Sequence, residues 1–158
     1  MSRTWWLCAL CLLGAAASAQ QPRPVELPNP GFEGEVTDGV PAGWEHPRWS
    51  TVQGKVTVTE ERAYEGDRSI CLEAEKDEGC VLFSTLLPCY PGDRFIATCR
   101  LYNEESHASL YVKFRYGSLD MTARGQYEYT IEKTVGEWTQ VSVEATAPPL
   151  ADHVHVDL

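Results

Sequence analysis

Asn29-Pro30-Gly31-Phe32-Glu33, followed by Asp38-Gly39-Val40-Pro41-Ala42-Gly43-Trp44-Glu45, is the stretch that decides the fold. It reads as a short opening strand, a Gly/Pro turn and a tryptophan bound for a core, which is how a β-sandwich begins. From there almost every apolar segment repeats with period two. In 52–59, Val52, Val56 and Val58 share one face with Gly54, while Gln53, Lys55, Thr57 and Thr59 take the other. In 69–75, Ile70, Leu72 and Ala74 alternate with Cys71, Glu73 and Glu75. Successive side chains of an extended strand point to opposite faces, so this alternation marks half-buried strands.

The same pattern recurs in 95–102 and 110–116. Glu65-Gly66-Asp67, Asp77-Glu78-Gly79, Pro91-Gly92-Asp93, Asn103-Glu104-Glu105 and Gly117-Ser118 supply turn chemistry between the strands. No long window sustains a helical period, and no internal repeat is visible. With 127–131, 137–145, 153–158 and the opening strand near Phe32, the chain holds about nine short strands, the pattern of an all-β, two-sheet antiparallel sandwich or jelly roll.

Residues 1–19 read as a secretory signal peptide: Arg3 gives the positive start, 5–17 the apolar stretch and Ala17-Ser18-Ala19 the small-residue cleavage site. The apolar run is too short for a membrane span, so the expectation is a secreted, extracellular chain beginning at Gln20. Residues 20–28 form an exposed, proline-rich extended lead-in, and 29–158 a single domain. The formal net charge of the 158-residue chain is −10. Without Arg3 it becomes still more negative, which repels phosphate backbones and anionic membranes. Nucleic acid is therefore excluded as a partner, and neutral polymers are allowed. Four cysteines remain after the leader: Cys71, Cys80, Cys89 and Cys99. An even set in a secreted domain points to structural disulfides, with three pairings open, and the wide spacing is unlike a zinc pattern.

The order of motifs resembles the cellulose- and xylan-binding type of carbohydrate-binding module, with its galactose-binding-domain-like jelly roll. The resemblance rests on Asn29 to Glu33, on Gly39 to Trp44, and on Ala63-Tyr64-Glu65-Gly66-Asp67-Arg68-Ser69. It continues through Leu87-Pro88-Cys89-Tyr90-Pro91-Gly92-Asp93-Arg94-Phe95, Gly136-Glu137-Trp138-Thr139-Gln140-Val141 and the run from Ala151 to Val156. It implies that Trp44 and Trp138 pack in the core. It also implies a final acid-bearing strand that this sequence, ending at Asp157-Leu158, lacks. The four cysteines are not part of the family pattern.

The resemblance further implies a structural calcium, held by the Glu33 carboxylate and the carbonyls of Gly31 and Asp67, with the closing acid coming from the absent strand; calcium takes six to eight oxygens. Sugar sites need aromatic faces, because the C–H face of a pyranose packs on a π face while flanking polar groups bind hydroxyls. Alternation in 110–116 puts Tyr111, Lys113 and Arg115 on one face, and alternation in 95–102 puts Arg100 and Tyr102 on an outward face. If these two strands are neighbours, the five residues share a sugar-binding surface. Tyr127 and Tyr129 extend it or pack on a loop, and Trp49 in a polar run is a loop-borne contact. His153 and His155 share one strand face but do not make a metal site alone.

A glycosidase needs two carboxylates at a set separation, and the sequence has no such cluster, no Gly-x-Ser-x-Gly turn and no phosphate-binding loop. The reading is a noncatalytic module for a polysaccharide or oligosaccharide, carried by a larger multidomain protein or enzyme. The alternative is a secreted structural or protein-interaction β-sandwich.

Overall fold

Two antiparallel sheets close on one apolar core in the computed structural model, which describes residues 3–15, 23–47, 53–75, 78–105, 107–117, 119–120 and 127–158. The strands in chain order are β1 (Arg3–Ala15), β2 (Arg23–Val25), β3 (Val36–Thr37), β4 (Val40–Pro41), β5 (Trp44–Glu45), β6 (Lys55–Thr59), β7 (Ser69–Ala74) and β8 (Phe83–Ser84). They continue as β9 (Leu87–Pro88), β10 (Arg94–Asn103), β11 (Ala108–Tyr116), β12 (Leu119–Asp120), β13 (Tyr127–Glu132), β14 (Trp138–Thr146) and β15 (His153–Asp157). The first sheet runs β14-β10-β1-β7-β6, with β2 against β1. The second runs β12-β11-β15-β8-β5, with β13 against β11 and β9 against β15. A separate hairpin joins β3 to β4 through Asp38-Gly39, both at positive φ, the conformation that Asp-Gly turns supply.

Alternation sets which residues meet. Phe95, Ala97, Cys99 and Leu101 of β10 are buried, as are Leu110, Val112 and Phe114 of β11, while the residues between them are half-buried. Phe95 and Phe114 meet across the two sheets with ring centroids 6.1 Å apart. Val154 and Val156 of β15, and Val141 and Val143 of β14, complete the interleaving. Each large side chain buried this way contributes about 1.5–3 kcal/mol of transfer free energy, which is why the pattern fixes the sheets' inner faces.

The deciding stretch folds differently from the expected opening strand. Asn29 to Gly34 is a turn, with Asn29 and Phe32 at φ 50 and 63. Asn29 organises it. Its Oδ1 accepts from the Gly34 N–H at 2.9 Å, its Nδ2 donates to the Ala42 carbonyl at 3.3 Å, and its own carbonyl accepts from the Phe32 N–H and from Trp44 Nε1, each at 3.2 Å. Phe32 is thereby turned inward onto Trp44, 5.2 Å between ring centroids. A backbone already bonded to its own side chain has no need of a ladder partner.

Three further expectations change. Leu27 of the lead-in is buried in the core, and 23–25 pairs with β1, so the described part of that segment is docked. Trp138 is half-buried on the outer face, because its register partner is the outward Tyr102 and not the inward Leu101. The four cysteines are buried free thiols and not disulfides. Cys99 lies in the core between Ala97 and Leu101, whereas Cys71 sits on the face of β7 shared with Thr57 and Glu73, outside the core cluster.

Residues 3–15 form the central strand of the first sheet, antiparallel to both β10 and β7. The apolar run that reads as the centre of a signal peptide also meets the requirement of a strand flanked on both sides.

Candidate functional site

The outer face of the second sheet gathers three strands' worth of aromatic and charged side chains. Register sets Tyr111 of β11 opposite Tyr129 of β13 and Asp157 of β15, and Lys113 opposite Tyr127 and His155; Arg115 stands opposite His153. Directly opposed residues in an antiparallel pair share a face, so all of these side chains project the same way. The inward alternates, Leu110, Val112, Phe114, Val154 and Val156, anchor the platform from beneath.

Tyr111 and Tyr129 stack with centroids 5.2 Å apart and planes 22° from parallel. Tyr127 is 6.1 Å from Tyr111 and 6.0 Å from Tyr129, tilted to both. The Lys113 ammonium lies 5.0 Å from the centre of the Tyr111 ring and is ion-paired to Asp157 Oδ2. Asp157 is the more deeply placed partner, its side chain 6% exposed against 20% for Lys113. Nε2 of His155 is 3.2 Å from the other oxygen, Oδ1, and the His155 ring stacks on Phe83 at 5.7 Å. Beside the ion pair is a recess of about 310 Å³ bounded by Cys80, Ser109, Tyr111, Lys113, Tyr127 and Asp157 among others. The Nε of Arg115 is buried with no hydrogen-bond partner among the described residues.

At the edge of this face the Asp152 carboxylate accepts from the Gly117 N–H at 2.8 Å and from His153 Nδ1 at 2.7 Å. Those bonds, the Gly117 one foremost, stabilise the ionised carboxylate and hold its pKa below the ordinary carboxylate range. The face as a whole offers stacking rings, a cation fixed by a carboxylate, and polar groups at the mouth of a recess, which is chemistry for binding an amphipathic, hydroxyl-rich ligand.

Sequence alternation brings Tyr111, Lys113 and Arg115 together correctly, and Tyr127 and Tyr129 do extend their surface. It does not bring in Arg100 and Tyr102. The strands β10 and β11 are consecutive but belong to different sheets, so these two residues stand on the opposite outer face of the sandwich. There Tyr102 and Tyr64 flank Trp138 at 5.6 and 5.8 Å, and the Arg62 and Arg100 guanidiniums lie over Tyr102 and Tyr64 at 4.0 and 4.4 Å. Arg62 also pairs with Glu104 at 3.1 Å. Trp49 lies outside the described residues. Asp157 and Phe83 were not anticipated; the one available signal was an acid at the end of the alternating run Val154-His155-Val156-Asp157. His155 lies on this face but is covered there, 6% exposed, between Phe83 and Asp157.

The Glu33 turn draws together the residues expected to hold calcium, but through hydrogen bonds. Glu33 Oε1 accepts from the N–H groups of Asp67 and Arg68 at 2.8 and 3.0 Å, and the Arg68 guanidinium reaches the carbonyls of Glu33 and Gly34, each at 3.4 Å. Calcium would have to draw the Glu33 carboxylate from those two N–H groups, beside the Arg68 cation, while finding six to eight oxygens.

No protein-family model matches the chain, and no curated protein matches its sequence. No helix among the described residues is long and apolar enough to cross a membrane.

Proposed function

We propose that the chain is a noncatalytic, secreted carbohydrate-binding β-sandwich, which takes a polysaccharide or oligosaccharide on the β11-β13-β15 face. The observation that carries the reading is the three-tyrosine platform, Tyr111, Tyr127 and Tyr129, beside the Lys113–Asp157 pair. Stacked rings give a sugar's apolar face somewhere to lie, and the paired charges at their border offer a donor and an acceptor to hydroxyls. The motif resemblance to cellulose- and xylan-binding modules and their jelly roll agrees with this use of a sheet face. In a larger protein such a module would raise the local concentration of its partner near the polymer.

Glycan-array binding of the folded chain tests the reading, with a Tyr111→Ala/Tyr129→Ala double variant as the control. Saturable binding to a β-glucan, xylan or galactan that the double variant loses while keeping its circular dichroism supports the site. Equal binding by the variant removes it.

The second reading, a protein-interaction sandwich, is favoured by the Arg62, Tyr64, Arg100, Tyr102 and Trp138 cluster on the opposite face. Arginine and aromatic residues are the types enriched where proteins meet. A folded chain that binds no glycan, and a protein partner lost on Trp138→Ala, would favour it.

A further inference from the structure

We propose that His46 is a positioning residue for the recess beside Tyr111. With both ring nitrogens protonated it clasps the strap 79–81, which walls the recess, and as pH rises through the histidine range one of its two bonds is lost and the strap loosens. That the recess takes part of a sugar rests on the carbohydrate reading. The clasp itself does not.

The strap lies in the connection from β7 to β8, and its Gly79, Cys80 and Val81 line the recess together with Tyr111, Lys113 and Tyr127. It is held against the start of β6. The Gly54 N–H donates to the Gly79 carbonyl at 3.1 Å, and the Cys80 thiol donates to the Lys55 carbonyl at 3.5 Å. The approach is close enough to require glycine at 54: a Cβ there would stand 2.5 Å from Cys80 Cβ and 2.5 Å from the Glu73 carbonyl oxygen. His46, one residue past β5, closes the join. Its Nδ1 is 2.8 Å from the Val81 carbonyl oxygen and its Nε2 is 2.9 Å from the Gly54 carbonyl oxygen. One imidazole thus bridges the strap and the segment it leans on.

Both partners of the ring are carbonyl oxygens, which only accept. A neutral imidazole has one N–H and one lone pair, so it satisfies one carbonyl and sets its lone pair against the other. Only the imidazolium, with two N–H groups, satisfies both, and a charged donor makes the stronger bond. Protonation therefore favours the clasped strap, and by linkage the clasp is complete in acid and weakens as pH rises. The charged or titratable groups on the elements around the ring are Glu45 beside it, Lys55 next to Gly54 and Cys80 next to Val81. Lys55 is paired with Glu73 of β7 at 4.0 Å, and the Cys80 thiol is turned to the Lys55 carbonyl. Among the described residues the ring's own bonds both go to backbone. His107 lines the recess and His155 stands beside Asp157, so the test removes His46 alone.

The test compares the whole chain with His46→Gln, whose side chain keeps an N–H donor but has no proton to lose in this range. Hydrogen exchange is read as protection factors at the amides of Gly54, bonded to the strap, and Leu82, next to it. In the unaltered chain protection should fall about three- to tenfold between pH 5.5 and 8, the weight of one hydrogen bond, and in His46→Gln it should stay level. Nitrogen NMR of the unaltered chain needs no variant: at pH 5.5 both ring N–H protons of His46 should be present and slow to exchange. Level protection in the unaltered chain, an equal fall in His46→Gln, or a single ring N–H at pH 5.5 would overturn the clasp. Titration with cellohexaose and xylohexaose carries it to the recess. Whichever binds should bind about threefold or more tighter at pH 5.5 than at pH 8 to the unaltered chain, and equally at both to His46→Gln. A fall in protection without any change in affinity would overturn the positioning role. Binding of neither sugar at either pH counts against the carbohydrate reading, while exchange still decides the clasp.

Discussion

Tyr111 and Tyr129 stand directly opposite each other on β11 and β13, their rings 5.2 Å apart and near parallel, yet they differ in what holds them. Tyr111 is wedged between its neighbours and the Lys113 ammonium, whereas Tyr129 is 51% exposed. Tyr129→Ala should therefore weaken glycan binding about tenfold, about 1.4 kcal/mol, with little change in urea midpoint. Tyr111→Ala should lower both. Isothermal titration beside urea unfolding distinguishes the two; a Tyr129→Ala protein with full affinity would remove that ring from the site.

The Lys113–Asp157 pair is mostly enclosed, so cutting it from one side leaves a charge in poor surroundings. Lys113→Ala should cost about 2–4 kcal/mol of stability, more than the double change Lys113→Ala/Asp157→Ala, because the double variant leaves no stranded carboxylate. Equal losses in the two would mean that water already solvates Asp157.

Asn29 combines a left-handed backbone with two side-chain hydrogen bonds that close the turn under Phe32 and Trp44. Asn29→Ala loses both bonds and adds a strained φ, about 2–3 kcal/mol together. Asn29→Gly keeps the backbone relaxed and should lose less. Thermal unfolding of the pair gives the comparison, and the reverse order would assign the residue's role to something other than backbone geometry.

Burial, and after it Glu73, pushes the Cys71 thiol up from 9.0 to about 12; burial and then Asp93 do the same to Cys89. A thiol that stays protonated in the fold but ionises in the unfolded chain gives stability that is whole below pH 9 and drains away as pH rises towards 12. The slope is about 1.4 kcal/mol per pH unit for each thiol. Urea unfolding from pH 8 to 11 should show the decline, and native Cys71 and Cys89 should react slowly with a thiol reagent at pH 8. Rapid modification of the native protein would contradict the burial.

At the Glu33 turn, the Glu33 carboxylate that calcium would use already accepts from the Asp67 and Arg68 N–H groups, and the Arg68 guanidinium stands at the Glu33 and Gly34 carbonyls. Millimolar calcium should leave the midpoint of thermal unfolding unchanged relative to a chelator. A rise of several degrees would show that the ion takes the carboxylate from those N–H groups.

The inner and outer faces of β10 and β11 were legible because an alternating strand declares its two sides locally. Their assignment to different sheets was not, since alternation says nothing about which strand lies alongside. Tyr102 and Tyr111 are each outward, and the sandwich lies between them. Trp138 misled for a different reason: the motif resemblance placed it in the core, but its register partner Tyr102 faces out. Asn29 misled in another way, because the Gly/Pro chemistry around it was read as punctuation after a strand when it is the structure itself. The face at Tyr111 and Lys113 was half visible, and Asp157 completed it only through pairing across β15.

Order in the sheet also implies an order in time. The strand at the centre, β1, is the first one the ribosome makes, and the last residue of its longer neighbour, Asn103, follows about 90 residues later, roughly 5–20 s at ordinary elongation rates. Until then only β2 and, later, β7 can pair with the segment, and the long β10 side of it stays open. Whatever binds apolar segments at the tunnel exit competes for it before the sheet can.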